Sequence, residues 1–237
     1  MDPIKKMKEA AREGWSTFAP FETTTGAVAP ALVKFAGIGG NSRVLDVGCG
    51  TGVVGVTAAR VGAKVTGLDL TPALLTRAAE NAALANVTVE FLEGDVEDLP
   101  FEDAEFDFVV SQFGHMFGPR PDITIREMLR VLKPGGRVSV SDTIQTMDLP
   151  QALLETEAAK AACISAAVTR DVYLESLTDA GFVDVTIESE VPYPANLGFE
   201  EALMEGLRDG HGIPEEVIKA AAASMVSIAV TATKAAV

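Results

Sequence analysis

At 237 residues, with 48% hydrophobic and 22% charged side chains, the chain has the size and composition of one globular domain able to bury a substantial core. Its 19 Lys and Arg face 34 Asp and Glu, a formal charge of −15. So acidic a surface repels phosphate-rich polymers and excludes nucleic acid as the expected partner. Only Cys49 and Cys163 are present, which gives no disulfide framework and no zinc spacing, and a cytoplasmic setting is expected. The charged start "MDPIKKMKEAAREGW" has no apolar centre of signal-peptide type, and the apolar run "AAAASMVSIAV" is shorter than the roughly 18 residues of a membrane span, so no membrane insertion is expected.

In chain order, "WSTFAPFETTTG" first brings Trp15, Phe18 and Phe21 close together ahead of the core. The segment reads either as a lid over a ligand or as a helix packed on a sheet edge. From residue 43 strands and helices alternate, and the strands are nearly continuous apolar runs, the pattern of a parallel sheet covered on both faces. "RVLDV" is followed by a helix over 51–61, and "KVTGLDL" by a helix from Pro72 with Thr71 as its cap. "VTVEFLEGD" and "FDFVVSQF" come next, then a helix through 126–132 that stops before Pro134. Gly135 and Gly136 then turn the chain into "GRVSVSD". "LPQALLETEAAKAACISA" and "TRDVYLESLTDAG" read as helices. "FVDVTIESE" and "MVSIAVTATK" read as strands, with a helical stretch over 199–224 between them. The repeated unit predicts an α/β fold with a doubly wound, mostly parallel, seven-stranded Rossmann-like sheet and an antiparallel last strand. One domain is expected: an N-terminal cap over 1–40, a ligand-binding core over 41–145, and a C-terminal part over 146–237 with a helical insertion near 195–225.

Ligands of such sheets bind beyond the carboxyl ends of the strands, which directs attention to the turn inside "VLDVGCGTGVVG". Gly48, Gly50 and Gly52 lack β-carbons and let a ligand lie against the main chain. Gly50 to Gly55 also match G-x-G-x-x-G, so an NAD(P)-dependent oxidoreductase is one reading. Asp46 argues against it, because a carboxylate beside the helix amino terminus repels a pyrophosphate. The same charge attracts a ligand with a sulfonium and an α-ammonium group. Asp69, followed by Leu70, stands where a carboxylate accepts both ribose hydroxyls. Asp95 is placed to accept from an adenine amino group while Val96 covers the ring.

Together "VLDVGCGTG", "GLDLTPALLTRA", "GDVEDLPFEDAEFDFVVSQFGHMF" and "REMLRVLKPGGRVSVSD" resemble successive motifs of the class I S-adenosylmethionine-dependent methyltransferases, particularly the branch of the ubiquinone and menaquinone C-methylating enzymes. The resemblance covers about residues 10 to 145. It implies S-adenosylmethionine as cofactor, with Asp46 and the glycine turn at the methionine end, Asp69 and Leu70 at the ribose, and Asp95 and Val96 at the adenine. It also implies N-terminal lid helices and a small-molecule methyl acceptor, and it leaves the acceptor atom (O, C, N or S) and the oligomeric state open.

The residues after the fourth strand, "SQFGHMF", are expected to face the transferring methyl group. His115 is the candidate general base, or else it caps a helix or bonds a carbonyl. Ser111 and Gln112 are candidate contacts to the cofactor, with Gln112 meeting its amino-acid end or satisfying loop amides. Phe113, Met116 and Phe117 either line an apolar acceptor pocket or pack on the next helix. "ACISAAVTRDVYLESLTDAGFVDVTI" resembles arsenite methyltransferases, whose cysteine in this stretch binds trivalent arsenic. That family's partner cysteine follows the fourth strand as Ser-Asn-Cys, where this chain has Ser111, Gln112 and Phe113, so arsenite methylation is an alternative short of a second thiolate. Cys49 reads as a packing residue and His211 as an exposed loop residue.

Overall fold

The alternating segments close into one sheet, described by a computed structural model over residues 2–156, 166–192 and 213–236. The strands are β1 (Arg43–Val47), β2 (Lys64–Asp69), β3 (Val89–Glu93), β4 (Phe106–Gln112), β5 (Leu132–Gln145), β6 (Phe182–Pro192) and β7 (Met225–Lys234). Their order is β3-β2-β1-β4-β5-β7-β6. β1 to β5 pair in parallel, and β7 runs antiparallel to both β5 and β6. The described helices are α1 (Pro3–Trp15), α2 (Glu22–Ala36), α3 (Val53–Arg60), α4 (Pro72–Leu84), α5 (Pro121–Val131), α6 (Gln151–Leu154), α7 (Arg170–Ala180) and α8 (Glu215–Ser224).

Successive residues of a strand point to opposite faces, and the central strands are apolar at both. In β1, Val44 packs with Leu32, Val54 and Ala58 of α2 and α3, while Leu45 packs with Met128 and Val131 of α5 and with Leu177 of α7. Val110 and Val109 of β4 divide between the same two layers. Each such side chain fully buried contributes about 1.5–3 kcal/mol, so the core itself explains the apolar run of β1, whose one buried polar residue is Asp46, at 1% exposure. β4 and β5 carry further buried polar residues toward their carboxyl ends, among them Ser111, Ser141 and Asp142. Among the described residues no helix is long and apolar enough to cross a membrane.

Three local expectations are corrected. The first crossover helix begins at Val53 rather than Thr51, because Gly52 before it is left-handed at φ +76°. Thr71 precedes α4 but its hydroxyl makes no capping bond; its N–H instead donates to Asp69 Oδ1 at 2.8 Å. β5 starts at Leu132 rather than Gly136, since Leu132 pairs with Phe106 before a register shift over Pro134 to Gly136 realigns Arg137 with Phe108. Gly135, at φ +75°, accommodates that irregularity. Of the helical stretch expected over 199–224, Glu215–Ser224 is described. The rest of it, with Cys163 and His211, lies outside the described residues.

Candidate functional site

The parallel strands end on one side of the sheet, at whose centre β1 stands, with β2 and β3 to one side of it and β4 and β5 to the other. A cavity of about 750 Å³ lies over these ends. Its wall runs from Asp69, Leu70, Asp95 and Val96, past Asp46 and the glycine turn, to Gln112, Phe113 and Ser141, and on to Ser227, Ala229 and Glu188 of the last two strands.

The three turn glycines have different reasons to be glycine. All are left-handed, at φ +66°, +52° and +76° for Gly48, Gly50 and Gly52. A β-carbon on Gly48 would stand 2.8 Å from Gly114 Cα, and one on Gly52 would stand 2.9 Å from the Phe91 ring. Only above Gly50 is the space open within 4 Å. Gly48 and Gly52 therefore serve close packing within the protein, and Gly50 alone leaves room for a ligand on the main chain. The turn is tied to β2 by Gly48 and Cys49 N–H donating to Leu68 O at 2.8 and 3.0 Å.

Asp46 Oδ2 accepts the N–H of Gly55, the third residue of α3, at 2.8 Å. Burial pushes its carboxyl up to about 7, opposed by the Gly55 bond and reinforced by the nearby Asp69 charge. Asp69 accepts from Gly50 N–H through Oδ2 and from Thr71 N–H through Oδ1, both at 2.8 Å. Burial raises it too, and those amides hold it down. Asp95 Oδ1 accepts Glu97 N–H at 3.0 Å, and its other oxygen pairs with Lys8 of α1. Lys8 also pairs with Glu97, whose second cationic partner is Arg120.

Lys8, Ala11 and Trp15 recur at helical spacing and, with Phe18, line the cavity. Trp15 packs on Phe18 and on Phe117, each with ring centroids 4.4 Å apart. The segment thus forms part of the cavity wall. The Phe21 side chain lies outside the described part.

The residues after β4 divide sharply. Gln112, Phe113, Gly114, Phe117 and Gly118 line the cavity, whereas Ser111, His115 and Met116 do not. Ser111 Oγ donates to Val47 O at 2.7 Å and accepts the His115 N–H at 2.9 Å, so it secures the loop rather than contacting the cavity. Gln112 Nε2 donates to Thr25 O at 2.8 Å, leaving Oε1 buried without a partner. Phe113 is left-handed at φ +52°, a conformation that disfavours a bulky residue by about 1–2 kcal/mol; its N–H donates to Ser141 O at 2.9 Å.

The His115 ring, 3% exposed, is turned away from the cavity. Nδ1 lies 3.3 Å from Asp142 Oδ2 without hydrogen-bond geometry, and Nε2 lies 3.4 Å from the Tyr173 hydroxyl. Burial pushes its pKa down to about 4, so the imidazole is neutral. It is shut off from any acceptor in the cavity, and the geometry does not support the general-base role.

Sequence reasoning missed Asp142, Tyr173 and Lys8. A charge ending the apolar run "VSVSD" was the available signal for Asp142; Tyr173 sits in an ordinary core pattern and Lys8 in an ordinary charged helix. Cys49 is buried, and burial with the charges of Asp46 and Asp69 pushes its thiol pKa well up, as suits a packing residue. Among the described residues no three His, Cys, Asp or Glu side chains cluster to hold a metal.

A model of the family described as a methyltransferase domain matches residues 38–181. The chain belongs to the class I S-adenosylmethionine-dependent methyltransferases. An arsenite methyltransferase of Halobacterium salinarum is 34% identical over 157 residues, 65% of this chain and 40% of its own length. An erythromycin 3''-O-methyltransferase of Saccharopolyspora erythraea is 34% identical over 186 residues, 72% of this chain and 60% of its own. Among solved structures, the cyclase SpnF has a TM-score of 0.66 at 26% identity, covering 89% of this chain and 80% of that one. Curated relatives from Mycobacterium tuberculosis, 45% identical over 111 residues, are matched over 40% of their length, so the methyltransferase spans well under two thirds of them.

Proposed function

We propose that this methyltransferase moves the methyl group of S-adenosylmethionine to a small, largely apolar or neutral acceptor. The observation that carries this reading is the seat of Asp46. Its carboxylate already occupies an amide in the first turn of α3, where a dinucleotide would need free amides and no anion for its pyrophosphate. A sulfonium and an α-ammonium group gain from the same charge. Asp69 keeps lone pairs for a ribose diol after accepting two backbone amides. The opening over Gly50 leaves the main chain accessible, and Asp95 with Val96 suits the adenine once Lys8 shares the carboxylate.

Methyl transfer is an in-line displacement: the acceptor's lone pair forms the new bond to carbon as the carbon–sulfur bond breaks and its electron pair returns to sulfur. S-adenosylmethionine supplies the methyl carbon. The chain's task is alignment to about 3–3.5 Å and exclusion of water. Trp15, Phe18, Phe35, Phe113 and Phe117 on the cavity wall supply the apolar surround. The acid surface and the cysteine usage fit a cytoplasmic enzyme that does not act on nucleic acid.

The arsenite relative favours a second reading, but Phe113 follows β4 where that family has a cysteine, and the Cys49 thiol is buried and held protonated. Calorimetry tests the primary reading. S-adenosylhomocysteine is expected to bind saturably and NAD and NADP are not, and the converse would overturn the assignment. Labelled S-adenosylmethionine incubated with metabolite extracts, and separately with arsenite, then identifies the acceptor.

A further inference from the structure

We propose that Phe113 is the platform against which a flat, aromatic or conjugated acceptor lies, and that the buried cluster of His115, Asp142 and Tyr173 positions it. The proposal deepens the methyl-transfer reading and rests on it. Three titratable side chains from the loop after β4, the far part of β5 and α7 meet in the interior, each at 6% exposure or less. The Tyr173 hydroxyl donates to Asp142 Oδ2 at 3.3 Å and Thr143 N–H to Oδ1 at 3.1 Å, while the His115 and Tyr173 rings meet edge to face at 6.0 Å. None of the three lines the cavity, yet Asp142 and His115 adjoin its wall in the chain and Tyr173 meets both. Asp142 follows Ser141, and His115 lies between Phe113 and Gly114 on one side and Phe117 on the other.

Apolar residues of similar volume would fill this space at no lower stability, so packing alone does not account for the cluster. What it borders is a strained loop. A bulky residue at φ +52° persists only where its surroundings over-determine it. Here the constraints are the Phe113 bond to Ser141, the Gly114 backbone pressed against Gly48, and His115 held from both its N–H and its ring. The loop thus joins the turn at Gly48 to β5 at Ser141, and it places Phe113 on the cavity wall between them. A ring fixed there favours stacking with a planar partner, and a shift of about 1 Å would spoil the alignment that methyl transfer depends on. Phe113 is then a specificity-determining residue, and the three buried groups are positioning residues.

Equilibrium dialysis on the full chain saturated with S-adenosylhomocysteine tests this, using naphthol as the planar probe and its saturated counterpart decahydronaphthol as the puckered one. The wild type is expected to prefer naphthol, and Phe113→Leu to reduce that preference about fivefold with S-adenosylhomocysteine affinity kept within about twofold. Tyr173→Phe and His115→Ala are expected to reduce it as well, and His115→Asn, which keeps a polar group toward Asp142, to restore part of it. A Phe113→Leu variant that keeps the preference overturns the proposal; this cavity-wall change is independent of whether the buried variants fold. A Tyr173→Phe protein with lowered Tm and an undiminished preference overturns the positioning role. If the wild type binds S-adenosylhomocysteine but does not prefer naphthol, this inference fails alone, whereas failure to bind S-adenosylhomocysteine removes the methyl-transfer reading beneath it.

Discussion

Over the ends of β1, β2 and β3, the acids that face the cavity are each held by backbone amides. Asp46 reaches Gly55, Asp69 reaches Gly50 and Thr71, and Asp95 reaches Glu97. Over β4 and β5 more of the buried polar atoms are left short of partners. Gln112 Oε1, His115 Nδ1, Ser139 Oγ and Thr143 Oγ1 are buried without hydrogen bonds, and the one strained loop residue at the cavity, Phe113, lies here. A half whose acids are each held by backbone amides, with Thr71 Oγ1 its one buried orphan among the described residues, suits a fixed ligand such as a cofactor. A half with buried polar atoms unpaired and a bulky residue held left-handed is where acceptor shape is discriminated.

The comparison breaks most visibly at the seam between the halves. Gly48→Ala puts a β-carbon 2.8 Å from Gly114 Cα and is expected to lower the unfolding free energy by about 2–4 kcal/mol in urea titrations. A loss below about 1 kcal/mol would mean that the two turns are not pressed together as described. Next comes Asp69→Ala, which removes a charged acceptor and is expected to weaken S-adenosylhomocysteine binding by about 1.5–3 kcal/mol, roughly 10- to 150-fold, in calorimetry. Unchanged affinity would remove Asp69 from the cofactor half.

Asp46 gives a pH signature. Its carboxyl titrates near 7 in the empty site, and a cationic ligand binds the ionised form. Affinity for S-adenosylmethionine should therefore rise with pH between about 6 and 8, with a proton released on binding below that range. Calorimetry in buffers of differing ionisation enthalpy measures the release, and an Asp46→Asn protein that still shows it would assign the proton to another group. The smallest effect is expected at the lid. Lys8→Ala removes the pairs to Asp95 and Glu97 and should speed S-adenosylhomocysteine release about threefold in stopped flow, an effect that shrinks as salt rises. A salt-independent rate would detach the lid from these pairs.

What was legible in the sequence follows the same division. The succession of strands and helices along the chain and the acids at the ends of β1, β2 and β3 were readable because each depends on a short run: an apolar stretch, a glycine turn, an acid at a strand end. The placement of His115 was not. Its loop was located correctly, but which side of the loop the ring takes depends on Asp142 and Tyr173, respectively 27 and 58 positions away in the chain, and on Gly114 closing against Gly48. The role of the turn glycines was half legible, since left-handed backbone is a local demand while the Gly114 and Phe91 contacts are not.

The sequence by itself determined the doubly wound sheet, the side of it on which the cavity opens and the acids at the ends of β1, β2 and β3 that line it, because hydrophobic period and strand-end motifs act over a few residues. Only the tertiary structure decided which residues after β4 reach the cavity, that α1 lines it and is tied to Asp95 and Glu97 through Lys8, and that three titratable groups are buried behind the wall formed by the loop after β4 and by β5. Those outcomes depend on packing between segments far apart in the chain, where a side chain's direction is set by the neighbour it meets.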